Sequence, residues 1–416
     1  MDRATFASST AFFRDFGNCP PGVFAGERVD FIDKPDSLGY SDFFRDYLVP
    51  NRPCVLSAAF TEGWGSRRAW VGRDGKPDFE HLLREFGDAA VPVAKCDLRE
   101  YNSHPKEQLA CREFLEYWRE YIGNGHSSAR GCLYLKDWHL SRAFPEHDGY
   151  TTPVYFSSDW LNEYWDAVGG DDFRFVYMGP KGSWTPFHAD VFRSYSWSAN
   201  VCGRKRWLLF PPGQEEFLRD ARGDLPFDVT APRLRAPAGR RRGRAPLEIL
   251  QEAGEIVFVP SGWHHQVQNL EDTISINHNW VNGCNVAVMW RFLQDELAAV
   301  QRELSQWNEP VEDRHLQCQL LLKSCAGIDY EGFYRFLEVV GRNRASVLEK
   351  GPDAEGGAAG SGPGTLHALF DLQRAVEVLA SLIANEDFRQ LELSSLSPRP
   401  DVLLQRLESA VDAALL

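Results

Sequence analysis

The sequence predicts a mainly β core built as an antiparallel sandwich or barrel, with α/β elements before it and a helical module after it. Three observations predict this. From Phe173 to Val281 strand signals are dense, in FRFVYMG, SYSWSANV, KRWLLFP, EIVFVP, HHQVQNL and TISINHNWV, all short runs separated by Gly/Pro turns. From Val286 onward apolar residues recur at three- and four-residue spacing instead. Before Gly131 single helical and extended stretches follow one another without either period taking over. The expected divisions are residues 1–130 for the N-terminal α/β region, 131–285 for the β core and 286–416 for the helical module.

Taken in order, residues 1 to about 28 show no strong period, contain Cys19-Pro20-Pro21-Gly22, and read as a loose arm. Residues 29–33 form a first strand. Residues 40–48, YSDFFRDYL, form a helix that Ser37 or Ser41 can cap, and residues 53–56 form a short buried strand. A helix over 77–86 and a strand over 90–94 follow. Residues 111–121, CREFLEYWREY, place Phe114, Leu115, Trp118 and Tyr121 on one stripe, the core face of an amphipathic helix. Residues 131–135 are a strand leading into the Lys136-Asp137-Trp138-His139 turn. His139 and His147 have no partner at ligand spacing and read as structural.

A basic, Gly/Pro-rich insertion interrupts the core strands over about 220–246, with its arginines between Arg233 and Arg244; it reads as a solvated loop. Helical patterns cover MWRFLQDELAAVQREL, HLQCQLLLKSC, YEGFYRFLEVVGRNRASVLE, residues 366–385 and residues 402–416. A low-complexity linker, KGPDAEGGAAGSGPG, lies over about 350–364. The module either buttresses the core or serves a homodimer or substrate docking.

Composition bounds the function. The 45 basic and 59 acidic residues leave a net charge of −14, which argues against direct nucleic-acid binding by the surface as a whole and favours a basic partner. The nine cysteines occur singly, with no CxxC pair, against a zinc finger. The first residues carry charges where a signal peptide has an apolar run, and no apolar run reaches the roughly 18 residues of a membrane span. A reducing, cytoplasmic setting with free thiols is expected.

The chemistry centres on residues 178–211, MGPKGSWTPFHADVFRSYSWSANVCGRKRWLLFP. On a strand, residues i and i+2 share a face, so His188 and Asp190 can reach one point in space. A third ligand would complete a facial triad that leaves three positions of an iron(II) ion open. Some 75 residues after Asp190, VPSGWHHQVQNL offers His264 and His265.

His188-Ala-Asp190, then Lys205-Arg-Trp207 and Phe210-Pro211, then Pro260-x-Gly-Trp-x-His265-x-Val-x-Asn-Leu270 resembles the jumonji-C family of iron(II)/2-oxoglutarate oxygenases. The resemblance covers about residues 159–281 and rests on three separated motifs in the right order. It implies a double-stranded β-helix, a jelly-roll of the cupin kind, with metal ligands at its mouth. It implies that the metal histidine is His265, strand alternation turning His264 away. Lys205, 17 residues after His188, matches the family's cation for the distal carboxylate of 2-oxoglutarate, and Thr185, three before His188, a hydroxyl that helps hold it. Asn277 matches a small polar residue on a later strand, and Tyr177 is expected to donate to the same carboxylate. Ser198 stands where relatives often carry Asn. Trp197 and Trp207 are either core or pocket wall.

The flanks LYLKDW (133–138) and SSDWLNE (157–163) narrow the resemblance to lysyl hydroxylases of this family that act on the translation termination factor and promote termination. The alternatives are a histone-lysine demethylase using the same chemistry and a jelly-roll binding module without catalysis.

Overall fold

A computed structural model describes residues 1–16, 28–231, 245–306, 313–350 and 364–416. The arginine-rich segment Arg233–Arg244 and nearly all of the expected linker lie outside the described residues.

Two sheets form the core. The larger has nine strands, in the order Asp30–Ile32, Cys54–Leu56, Ile256–Val259, Tyr195–Cys202, Thr273–Trp280, Arg174–Gly179, Leu133–Trp138, Ala90–Lys95 and Lys106–Ala110. The smaller has four, in the order Leu247–Gln251, Lys205–Phe210, His264–Asn269 and Trp184–His188. Neighbouring strands are antiparallel except the first pair of the larger sheet. The expected antiparallel, cupin-like core is therefore present, and strands from the N-terminal 110 residues extend its larger sheet at both edges. Val55, Val257 and Val259 of the larger sheet pack on Trp207, Leu209 and Val267 of the smaller. Alternation sends these residues inward and sends Leu208, Phe210 and Phe187 to a separate cluster on the outer face of the smaller sheet.

The N-terminal arm is a correction. Arg3–Phe16 is a helix, and its buried stripe is Thr5, Ser9 and Phe13. Two of those three residues carry hydroxyls, which mutes the apolar period. Phe13 packs against Phe370, and the guanidinium of Arg374 lies 4.2 Å from its ring centre. The helix at Tyr40 starts where expected, but neither serine caps it. Gly39 is its N-cap, and the Gly39 N–H donates to Asp42 Oδ2 at 3.1 Å. Part of the stretch expected as a solvated insertion packs on the core: residues 225–231 are half-buried, Phe227 stacks edge-on against Trp184 and His104, and the Val229 N–H donates to Gln266 Oε1 at 2.9 Å.

The C-terminal helices Val286–Ser305, Arg314–Ala326, Tyr330–Lys350, Thr365–Ala384 and Pro400–Leu415 share one apolar cluster with Trp160, Tyr164 and Phe192 of the core region. A buried polar knot fixes their position. Asp371, fully buried, accepts from Ser158 Oγ at 2.9 Å, Trp160 Nε1 at 3.0 Å and Arg344 Nε at 2.9 Å. Arg344 also grips Glu163 with two 2.9 Å bonds. Burial alone would raise the Asp371 carboxyl; His367 and Arg344 overcome it and hold it well below the usual range. The SSDWLNE flank is thus the seat of the helical module. Asp371→Ala leaves a buried guanidinium with Glu163 as its one remaining ion-pair partner and two neutral donors without their acceptor, and should lower unfolding stability by about 3 kcal/mol. Denaturant unfolding checks this; an unchanged midpoint would show that the knot does not hold the module.

Candidate metal centre

The two histidines of the site come from neighbouring strands of the smaller sheet, in register. His188 ends Trp184–His188 and pairs directly with His265 of His264–Asn269. Their ring centres are 4.4 Å apart. Asp190 lies just past the end of the ladder, at the start of the Val191–Arg193 turn, not within the strand. Its backbone is still extended (φ −62°, ψ 155°), so its side chain stays on the His188 face. Asp190 Oδ1 is 3.8 Å from His188 Nε2 and 4.0 Å from His265 Nε2. Two donors each about 2.1 Å from one ion span up to about 4.2 Å. The three side chains thus form a cluster that could hold a metal ion.

The surroundings prepare each donor atom. The backbone carbonyl of Pro186 lies 2.8 Å from His188 Nδ1, and that of Trp263 lies 3.1 Å from His265 Nδ1. A carbonyl only accepts, so each Nδ1 carries the proton and each Nε2 presents its lone pair to the cluster. Burial and the neighbouring His265 push His188 down to about 4, so it is neutral near pH 7. Ser196 Oγ donates to Asp190 Oδ2 at 2.6 Å, which orients the carboxylate and leaves Oδ1 for the cluster. The Pro260-Ser-Gly-Trp263 turn that delivers His265 needs Gly262 at φ +75°. Asn51 clamps that turn: its amide donates to the Ser261 carbonyl at 2.9 Å and its oxygen accepts the Ser261 N–H at 2.8 Å. His264 points the other way, packing on Phe187 at 5.4 Å; burial and Arg193 push it down to about 3.

A cavity runs from the triad between the two sheets. Lys205, Thr185, Tyr177 and Asn277 all line it, with Tyr134, Ser198, Trp197 and Trp207. The two tryptophans are both core and wall. Lys205 is 2% exposed, and its ammonium donates to Ser275 Oγ at 2.7 Å. Burial, with Lys136 nearby, pushes it down to about 7. Its strand neighbours Arg204 and Arg206 face outward and pair with Glu252 and Glu248. Asn277 Nδ2 donates to the same Ser275 hydroxyl at 3.2 Å. Ser198 Oγ is buried with no hydrogen-bond partner among the described residues. The only carboxylate among the described residues lining this cavity is the triad's Asp190, and a buried cation with no carboxylate of its own, beside a hydroxyl without a partner among the described residues, suits a small dianionic guest. The donor set and the cavity therefore fit iron(II) and 2-oxoglutarate.

Tyr177 lines the cavity, and its hydroxyl donates to Asp137 Oδ1 at 2.5 Å. Thr185 accepts from Lys136 Nζ at 3.3 Å. Sequence reasoning missed Tyr134, Ser196, Ser275, Lys136 and Asp137. Ser275 is a small polar residue between Ile274 and Ile276 on a strand buried along its whole length, and that pattern could have flagged it. His139 is a further correction: it does have partners, Asp172, which hydrogen-bonds its Nδ1, and Asp171. They come from the stretch before the Arg174–Gly179 strand, so no ligand spacing announces them. His147 packs against Trp70 and Phe86, accepts the Gly149 N–H, and belongs to no candidate metal group among the described residues.

The model of the cupin-like domain family matches residues 40–285. Over 425 residues, covering all of both chains, the sequence is 68% identical to "2-oxoglutarate and iron-dependent oxygenase JMJD4" of Gallus gallus. The Homo sapiens protein of that name is 59% identical over 419 residues, 100% of this chain and 99% of that one. This chain belongs to the JMJD4 family of 2-oxoglutarate and iron-dependent oxygenases. A more distant relative, "Arginine-specific demethylase JMJ20" of Arabidopsis thaliana, is 41% identical over 316 residues, 72% of this chain and 67% of that one. The oxygenase is thus a dioxygenase of the jumonji-C class, with iron and 2-oxoglutarate as its cofactor and cosubstrate. Among its described residues no helix is long and apolar enough to cross a membrane.

Proposed function

We propose that this oxygenase is a cytoplasmic protein hydroxylase that adds one oxygen atom to a lysine side chain of the translation termination factor and so promotes termination. The observation that carries the chemistry is the His188–Asp190–His265 cluster at the junction of two spaces. One is the narrow cavity behind it, and the other is a wider cleft that shares Tyr177, Thr185, His188, Asp190 and Asn279 with that cavity. A cosubstrate and a side chain of a second protein can then approach from different sides. The choice of lysine and of the factor is supported by the resemblance of the 133–138 and 157–163 flanks.

In this reading His188, Asp190 and His265 hold the metal. Lys205, with Ser275 behind it, holds the distal carboxylate of 2-oxoglutarate, and Thr185, Asn277, Tyr134 and Ser198 line its path. Bound there, iron supplies the oxidising chemistry by which O2 places one oxygen on a substrate C–H bond while 2-oxoglutarate becomes succinate and CO2. The chain's own part is to fix the ligand tautomers through Pro186 and Trp263, to hold Asp190 through Ser196, and to keep water out with Trp197 and Trp207.

A second reading is demethylation, favoured by the name of the Arabidopsis relative. Intact mass of the purified termination factor after incubation with this enzyme, iron(II), 2-oxoglutarate and ascorbate separates the two. Gain of one oxygen on a lysine, absent with the His188→Ala variant, is the expected result. Loss of a methyl group would establish the demethylase instead, and an unchanged factor would remove this substrate.

A further inference from the structure

We propose that Asp137 is the anchor for the ε-ammonium of the target lysine, and that Lys106 occupies it in the free enzyme. The inference rests on the lysyl hydroxylase reading and adds the group that recognises the substrate.

It begins with a break in the larger sheet. Leu133–Trp138 pairs with Arg174–Gly179 at Leu135 and again at Trp138, with a register shift between. Regular alternation would send Lys136 and Asp137 to opposite faces. The shift cancels that, and both residues line the open cleft beside His188 and Asp190. Asp137 is held at φ +61°, a left-handed conformation that is costly for a residue with a side chain and collects at functional sites. A bulge that re-aims side chains next to an active site is a recurrent device.

The charges then sort themselves. Besides Asp190, Asp137 is the one carboxylate among the described residues lining this cleft. Its inner oxygen accepts from Tyr177, and its outer oxygen pairs with Lys106. Burial opposes its charge, but Lys136 and Lys106 hold its carboxyl down at about 2. The Lys106 side chain is 41% exposed and that of Asp137 is 28% exposed, so an incoming ammonium can displace one by reaching the other. Phe173, Phe175 and Tyr177 recur at every second residue and also line the cleft, giving an aromatic track for a four-carbon stem. Lys136, half-buried and bonded to Thr185, repels the substrate's cation from the cosubstrate side. With the ammonium on Asp137, a stem carbon and not the nitrogen is left to face the metal ligands. That arrangement suits hydroxylation of carbon.

The test is an NMR titration of the full-length enzyme with N-acetyl-lysine-N-methylamide and with its norleucine counterpart. The lysine compound should bind about tenfold more tightly, as expected for a hydrogen bond to a charged group. Asp137→Asn, which can still accept the Tyr177 proton, should erase that preference. Lys106→Ala should strengthen binding of the lysine compound, a gain that a merely structural ion pair would not give. A preference that survives in Asp137→Asn, or lysine binding that is unchanged or weaker in Lys106→Ala, overturns the proposal. A termination factor that gains no oxygen, together with a lysine preference that follows Asp137, removes that substrate and leaves the anchor standing. Hydroxylation of the factor by Asp137→Asn at an unchanged KM removes the anchor and leaves the hydroxylase standing.

Discussion

Asp190→Ala and His188→Ala will each lower 2-oxoglutarate turnover at least about a thousandfold, some 4 kcal/mol of lost transition-state stabilisation, while the protein unfolds at its normal denaturant midpoint. The first half follows from the donor count. Two imidazole nitrogens and one carboxylate oxygen are the whole of this cluster, and removal of any one leaves too few ligands to fix the ion. The second half follows from position. His188 closes its strand with 36% of its side chain open to the cleft, and Asp190 sits outside the ladder, held by one bond from Ser196. Neither side chain belongs to an apolar cluster, so truncation opens no cavity in the core. Turnover assays with added iron(II), alongside chemical unfolding, measure both halves. Full activity in either variant would sink the metal assignment.

The parts of this site that were legible in the sequence share one property: they depend on local alternation. His188 and Asp190 are two residues apart, His264 and His265 fall on opposite faces, and Lys205 lies between two arginines that point outward. The strand period says which of these residues share a face and which oppose each other, and the family resemblance says which face carries the site. The helical module was legible for the same reason at period 3.6.

What the sequence did not disclose depends on contacts between distant residues or on a broken period. Ser158 and Trp160 meet Asp371 across 213 and 211 residues, and Asn51 meets Ser261 across 210. No local pattern marks either partner. Lys136 and Asp137 were hidden by the opposite fault. The sequence reads residues 136–139 as a turn, whereas the strand runs on to Trp138, and the register shift that turns both toward the cleft is set by pairing with Arg174–Gly179. The N-terminal helix escaped notice because Thr5 and Ser9 occupy buried positions that a hydropathy period expects to be apolar.

Lys205→Ala should raise the 2-oxoglutarate concentration needed for half-maximal rate about a hundredfold, with a much smaller effect at saturation. The mutation removes a buried, hydrogen-bonded charge partner, and truncating such a group costs about 3 kcal/mol of binding. The same lysine makes a pH prediction with a definite sign. Burial and Lys136 push Lys205 down to about 7, whereas a free lysine titrates near 10.4. The charged form binds the carboxylate, so wild-type affinity should fall as pH rises through about 7 to 9, and binding should take up protons from the buffer. Calorimetry in buffers of different ionisation enthalpy reads that uptake directly, and Lys205→Ala should abolish it. Stability moves in the opposite direction. A folded-state value below the unfolded one means that at neutral pH the unfolded chain binds the proton more readily, so Lys205 destabilises the cosubstrate-free fold. Lys205→Ala should therefore unfold no more easily than wild type while binding 2-oxoglutarate poorly. A lysine kept only for structure would show the reverse pair of effects, and an affinity that stays flat across that pH range would assign the carboxylate to another cation.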